Sequence, residues 1–377
     1  MTALEDYLDS FDVEPGYLNW AAYGPLSPAV RDEMRADAEL LGSGRASGIG
    51  LVGERIDEAR DLLAEMLGAA SDEVTLQPST AHGLTHAMFG LSGEVIVAPQ
   101  EFPALTVAAR RAQDALGRLH VRDLETPEGV VTPDAVRAAL TDDTTAVAVS
   151  LVDYRTGYLA DLAALRDVIG DRLLIVDAVQ GFGVADADWA AADVVCGNGF
   201  KWLRAGRGTG FAWFSSRARE RIEPVLSGFV GMDGDLYGPG VPAPLPTAAA
   251  YAVSPTDSLA AGRLATALRE IRDTGVARIA VEVAERAQHV MALADRYDIP
   301  VLTSRDRHAG IVSLIPTAHD AGLLAAALAN HGVTATARGG VIRISTHAGT
   351  GADSMHLLGD AFAAARAASA AVVVADS

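Results

Sequence analysis

Short apolar runs alternate along this chain with longer stretches in which apolar residues recur every three or four positions. The runs are "EVTLQ" (73–77), "EVIVA" (94–98), "LHVRD" (119–123), "TAVAVSLV" (145–152), "RLLIVDAV" (172–179), "DVVCG" (193–197) and "TGFAWF" (209–214). Short runs rich in β-branched residues and bounded by turn-formers read as buried strands. Between them the spacing predicts helices after "PSTAHG", over about 103–116, from Thr132-Pro133, and near 160–169. Upstream, Ser27-Pro28 reads as a cap with proline at the first helical position, opening a helix to about Leu41. "GSGRASGIG" reads as a loop, and a second helix over about 51–67 ends at Gly68. The alternation predicts an α/β fold with a mostly parallel sheet between helices. Ligands of such sheets bind at the carboxyl ends of the strands.

The stretch 226–246, "LSGFVGMDGDLYGPGVPAPLP", breaks the pattern with glycine and proline and reads as a long loop at a domain boundary. Helices near 256–273 and 275–295, "AGIVSLIP" (309–316), a helix near 319–330, "GVIRIS" (340–345) and a last helix from about 351 follow. This predicts an N-terminal arm (1–25), a large domain (26–245) and a smaller C-terminal α/β domain (246–377), without internal repeats.

Composition narrows the function. The 377 residues are 50 % hydrophobic, enough for a large core, and carry a formal net charge of −19. So acidic a chain repels nucleic acid and anionic membrane, and neither is expected as a partner. A single cysteine, Cys196, excludes a disulfide within one chain and a cysteine-rich metal site, and no metal is expected. The first residues lack the basic-then-apolar layout of a secretion signal, and no apolar run is long enough to span a bilayer, so a cytoplasmic protein is expected.

The basic residues carry one anomaly: Lys201, in "GNGFKWLRAG", is the only lysine, and all the others are arginine. Arginine serves on a solvated surface, but a guanidinium does not become a nucleophile, whereas a desolvated amine does. A compositional remnant is the alternative. Asp177 ends a continuous apolar run, so it is either a strand-end turn residue or the partner of a buried cation. A protonated pyridine nitrogen is such a cation, and pyridoxal phosphate (PLP) chemistry needs an acid there. Val179 falls on the same side of an extended chain and suits a ring face, and Gln180 suits the cofactor's 3-hydroxyl.

"DAVQ" followed by "GFKWLRAGRGTGF" resembles the class V aminotransferase family of fold-type I PLP enzymes, and the likeness runs from "YLNWAAYGPLSPAV" to "VIRIS". The resemblance implies that Lys201 holds the cofactor as a Schiff base and Asp177 faces its ring nitrogen. "QPSTAHGLTHA" (77–87) takes the phosphate-loop position, with Thr80, Ala81 and His82 giving backbone N–H groups and Thr80 a hydroxyl. Phe102 stands where the family stacks an aromatic on the ring. Tyr154 lies near the 3-hydroxyl, and Asn198 substitutes as a phosphate donor. Ser254 and Thr256 match a stretch that the partner of a homodimer contributes. Arg343 corresponds to the α-carboxylate fork, and Asn19, Ala21 and Ala22 line the substrate side. The expected substrate is a small amino compound. Cysteine desulfurases carry a mobile cysteine before the arginine strand, and "GVTATARGG" (332–340) has none. Breadth of the family puts transamination first, with C–S lyase, kynureninase-like hydrolase and epimerase as alternatives. A non-catalytic binder is disfavoured by the joint presence of Asp177, Gln180, Lys201 and Arg343. "GRGTG" (206–210) precedes a strand instead of following one, against a dinucleotide site.

Overall fold

A computed structural model describes residues 2–375. The chain opens with α1 (Ala3–Asp9), α2 (Pro28–Gly42), α3 (Ala46–Gly53) and α4 (Arg55–Leu67). The alternating region follows as β1 (Val74–Gln77), α5 (Thr80–Gly90), β2 (Gly93–Val97), α6 (Pro103–Leu116), β3 (Leu119–Asp123), α7 (Pro133–Ala139), β4 (Thr144–Ser150), α8 (Leu162–Ile169), β5 (Leu173–Asp177), β6 (Val194–Asn198), β7 (Gly210–Phe214) and α9 (Ser216–Arg221). A two-stranded ribbon, β8 (Met232–Asp233) and β9 (Ala243–Pro244), leads to α10 (Ser258–Thr274) and α11 (Val276–Arg296). Then come β10 (Ile311–Leu314), α12 (Ala318–Asn330), β11 (Thr336–Arg338), β12 (Val341–Ser345) and α13 (Ala352–Ala375).

The seven strands of the large sheet run in the order β1-β7-β6-β5-β4-β2-β3. Strand β7 is antiparallel to both its neighbours, and the other pairs are parallel. Both faces are buried, which is why the strands read as unbroken apolar runs. Along β4, Val147 and Val149 join one apolar cluster while Ala146 and Ala148 join the other. The arrangement is the mostly parallel α/β sheet that the alternation predicted, with the fold-type I architecture that the resemblance implied.

One local expectation fails. Residues 46–50, expected as loop, join 51–53 in a separate short helix, α3, and the helix expected from about 51 begins only at Arg55. Helix α3 rests on α2, with buried Gly48 against the Leu40 carbonyl, and this contact outweighs the low helix propensity of glycine.

A second, antiparallel sheet, β10-β12-β11, packs with α11, α12 and α13 around its own core. Helix α10 shares the core of the large sheet through Leu264, Leu268 and Ile271. We therefore put the limit between the two units forward near Gly275, a full helix beyond residue 246. The N-terminal arm ties the units together, because Leu18 enters the smaller core and Trp20 the larger one. Its backbone bonds to the segment before β11 and to the end of β12, Leu18 N–H to the Thr334 carbonyl at 3.0 Å and Ser345 N–H to the Leu18 carbonyl at 2.8 Å. Among the described residues no helix is long and apolar enough to cross a membrane.

Candidate active site around Lys201

The carboxyl ends of the central strands converge on one cleft. Ser150, ending β4, lies opposite Asp177, ending β5, and Asp177 lies opposite Cys196 on β6. Asn198 ends β6 and pairs with Gly210, which pairs in turn with Gln77 of β1. Lys201 thus emerges from the turn after β6, between the start of α5 and the end of β5. The arm fixes this turn from outside. Gly24 N–H donates to the Phe200 carbonyl at 2.9 Å, and a β-carbon on Gly24 would stand 1.8 Å from the Lys201 oxygen. Only glycine permits that approach.

Lys201 is 7 % exposed, with Nζ 5.8 Å from the Phe102 ring centre and 5.3 Å from that of Phe200. Burial brings its pKa down to about 8; Asp177 opposes this, while Arg343 and Arg207 reinforce it. The amine is therefore partly free of its proton near neutrality. Asp177 is 1 % exposed, and burial pushes it up to about 6 against the pull of the Val179 N–H and Lys201. Its Oδ1 accepts from Val179 N–H at 3.0 Å, and its Oδ2 has no partner. An orphaned buried carboxylate oxygen aimed from a strand end is a place for a cation.

On the opposite wall, Arg343 extends from β12 and donates through Nη1 to the Tyr154 carbonyl at 2.8 Å. Its Nε has no acceptor, and burial lowers its pKa. Tyr154 stands edge-on to Phe102, ring centres 5.2 Å apart. At the start of α5 the buried Thr80 hydroxyl is also without a partner. Asn19 accepts from the Thr336 hydroxyl at 2.8 Å, and Ala22 N–H bonds back to Asn19, so the arm closes the Arg343 side.

The description of the class V aminotransferases, "Aminotransferase class-V", matches residues 49–349. The chain belongs to this class V family. Among its relatives, a kynureninase of Deinococcus radiodurans is 28 % identical over 261 residues, covering 66 % of this chain and 62 % of that protein. The cysteine desulfurase IscS of Aeromonas salmonicida is 27 % identical over 232 residues, covering 57 % of each. The chain thus aligns with less than two thirds of the length of either. A solved complex of the cystine C–S lyase C-DES with cysteine persulfide superposes with a TM-score of 0.82 at 19 % identity, over 93 % of this chain and 98 % of that one.

The cofactor of this class V site is PLP, and the residues present fit it. Asp177 Oδ2 awaits a cation and Thr80 Oγ1 a donor or acceptor, while Lys201 is a desolvated amine between aromatic rings. Two of the expected cofactor contacts have protein partners in this structure. Gln180 was expected to bond the cofactor, but its amide joins two protein segments: Oε1 accepts from the Trp202 indole at 2.8 Å and Nε2 donates to the Ala21 carbonyl at 3.1 Å. His82 was expected to offer its backbone N–H to phosphate, but that group closes on the Ser79 carbonyl at 3.1 Å. Its ring faces the Ser79 hydroxyl at 2.9 Å, which leaves Thr80 and Ala81 as the amides at the mouth of the helix. Asn198 Oδ1 is taken by the Phe200 N–H at 3.1 Å. Val179 is half-buried beside Asp177. Ser254 and Thr256 lie in the exposed loop before α10, by Arg60 and Leu76.

Three residues in or behind the cleft wall escaped the sequence reading. Glu101, next to Phe102, is 6 % exposed and accepts from both the backbone N–H and the hydroxyl of Ser150. Burial raises it to about 7, which the Ser150 bonds oppose and Asp153 and Asp177 increase. A lone acid between a strand end and an aromatic was its only signal. His347 is fully buried, its pKa brought down to about 3 by burial, and its neutral ring bridges the Trp202 carbonyl at 2.8 Å and the Ala348 N–H at 2.8 Å. Arg204 left no signal at all in an arginine-rich chain. His82 and His86 stand four apart on α5, but among the described residues no group of three or more His, Cys, Asp or Glu gathers to hold a metal.

Proposed function

We propose that the chain acts on an α-amino acid and breaks a bond at its β-carbon, as a C–S lyase or kynureninase-like hydrolase. One observation carries the reading: the segment before the arginine strand is a closed hairpin. Arg338 pairs with Val341 across Gly339 and Gly340, whose φ values of 58° and 80° fit a two-residue turn. Such a turn holds no mobile loop, and it holds no cysteine. Cys196 is buried, and burial raises its thiol well above the ordinary range. Sulfur transfer onto a protein thiol has no acceptor here. Transamination was favoured by the breadth of the family; the kynureninase and C–S lyase relatives instead support cleavage.

The residues divide the work. Arg343 grips the substrate carboxylate as a fork. Asp177 would face the ring nitrogen as an anion. Bound PLP supplies an electron sink for the charge that develops at the substrate α-carbon. Lys201 would hold the cofactor and, as a desolvated amine, would take the α-proton of the substrate. In a C–S lyase the β-sulfur would then leave with the bonding pair; in a kynureninase-like hydrolase water would add to the γ-carbonyl, the acyl fragment would leave as a carboxylic acid, and the bonding pair would stay with the β-carbon, to be protonated there. Phe102, Phe200 and Tyr154 line the cleft and limit water. We also put forward a homodimer in which Ser254 and Thr256 serve the partner's phosphate. The exposure of Phe229, Tyr237 and Val241 in the 226–246 segment supports it.

The test is a panel of amino acids bearing β-leaving groups, cystine and kynurenine included, with no oxo acid added. Many turnovers releasing ammonia and an oxo acid, or a cleaved fragment such as anthranilate, are expected. One oxo acid per site, with the cofactor left in its amine form, would establish transamination instead.

A further inference from the structure

Arg204, three residues after Lys201, has a left-handed backbone with φ 60°. That conformation crowds the β-carbon of any residue but glycine. Outside glycine, only Asp298 shares it among the described residues. Arg204 is also 2 % exposed. Its Nη1 donates to the Ser10 hydroxyl at 2.9 Å and its Nη2 to the Ser10 carbonyl at 2.6 Å. Its guanidinium lies 3.9 Å from the centre of the Phe11 ring. Tyr7, Glu270 and Asp12 are the charged or titratable groups that act on it from α1, α10 and the arm.

These contacts form a closed circuit about the lysine turn. Phe11 packs on Trp20 at 5.4 Å and on His347 at 4.6 Å, and His347 bonds the Trp202 carbonyl. The Trp202 indole bonds Gln180, which bonds Ala21 of the arm. Gly24 of the arm bonds Phe200. Residues 200, 202 and 204 are thereby fastened to the arm, and Lys201 stands among them. A crowded backbone persists when its surroundings over-determine it.

We propose that Arg204 is a positioning residue: it fastens the N-terminal arm across the lysine turn and so keeps Lys201 out of water. The proposal rests on Lys201 being the reactive amine, but not on which substrate bond the enzyme breaks.

Because Lys201 is the only lysine, ε-13C-lysine labelling of the cofactor-free full chain gives one side-chain signal, titratable without substrate or turnover. Its neighbours Asp177, Arg343 and Arg207 are unchanged in the variants used. Arg204→Gly removes the guanidinium and also relieves the crowded backbone, so an anchor and a merely tolerated strain give opposite results. An anchor lets water in: the Lys201 titration rises from about 8 toward the ordinary 10.5, by roughly one unit or more. Amide exchange over residues 3–24 quickens and the melting temperature does not rise. An unmoved titration in folded Arg204→Gly, or a higher melting temperature with unchanged exchange in the arm, would overturn the proposal. Should that variant not fold, Phe11→Ala decides: it must shift the titration the same way by less, and no shift overturns the proposal equally. Failure of the reaction reading leaves this outcome untouched, since neither cofactor nor substrate enters it.

Discussion

Arg343 and Arg204 flank the same lysine turn, and each leaves its Nε without a protein acceptor. They differ in their terminal nitrogens. Arg204 closes both on Ser10, while Arg343 uses only Nη1, on the Tyr154 carbonyl. Arg204 lies deep under the arm, and Arg343 is half-buried and acts on Lys201 across the cleft. A cation saturated by its own chain holds structure; one with a free fork is set to receive an anion. The same division sorts the rest of the site. Lys201, Asp177 Oδ2 and Thr80 Oγ1 are open, whereas Gln180, His347 and Glu101 are committed to protein partners. Open groups are where ligand chemistry belongs, and committed groups are where rigidity comes from.

The largest effect should come from the most costly open group. Asp177 titrates at about 6 in the fold against an ordinary 3.8, so the fold disfavours its anion. The resulting destabilisation is absent below about pH 4, grows as pH rises toward 6, and is complete above it, reaching up to about 3 kcal/mol. Asp177→Asn should therefore make the cofactor-free chain more resistant to urea at pH 8 but not at pH 4, while PLP binding weakens severely. Equal stability at pH 8 would remove Asp177 from the open class.

Arg343→Gln should lower kcat/KM roughly 100-fold, mostly through KM, because a charge-assisted grip on a carboxylate is lost. Its melting temperature should stay near that of the parent. A large loss of stability with KM unchanged would make Arg343 a second Arg204.

Gln180→Ala should behave oppositely. It leaves the Trp202 indole and the Ala21 carbonyl unpaired in the interior, a loss of about 2 kcal/mol measurable by urea unfolding of the cofactor-free chain. If the cofactor band shifts strongly while cofactor-free stability is unchanged, Gln180 is an open group. Smallest of all, Cys196→Ala should leave turnover within about twofold and cost under roughly 1.5 kcal/mol, since the buried thiol packs in an apolar cluster beside Gly83 and the substitution removes one atom. Loss of turnover there would restore a cysteine-based route.

The strands were legible because a sheet buried on both faces writes continuous apolar runs, as in "LLIVD". Lys201 was legible through its uniqueness, and Asp177 through its place at a strand end. Helix α3 was not, since its support is α2 rather than its own residues. The committed groups were illegible for a related reason. Arg204 meets Ser10 across 194 residues, and His347 meets Trp202 across 145. No local pattern announces such meetings. The protein partners of Gln180 and His82 were equally illegible, because position in a motif does not reveal them.

The measurement that tests the central claim most directly is borohydride reduction of the cofactor-loaded chain, followed by peptide mass mapping. With one lysine in the chain, the expected result is a single peptide, the one containing Lys201, carrying the mass of the reduced cofactor, and no such mass in Lys201→Arg. Cofactor that washes away after reduction, or a label found elsewhere, would contradict the assignment of Lys201.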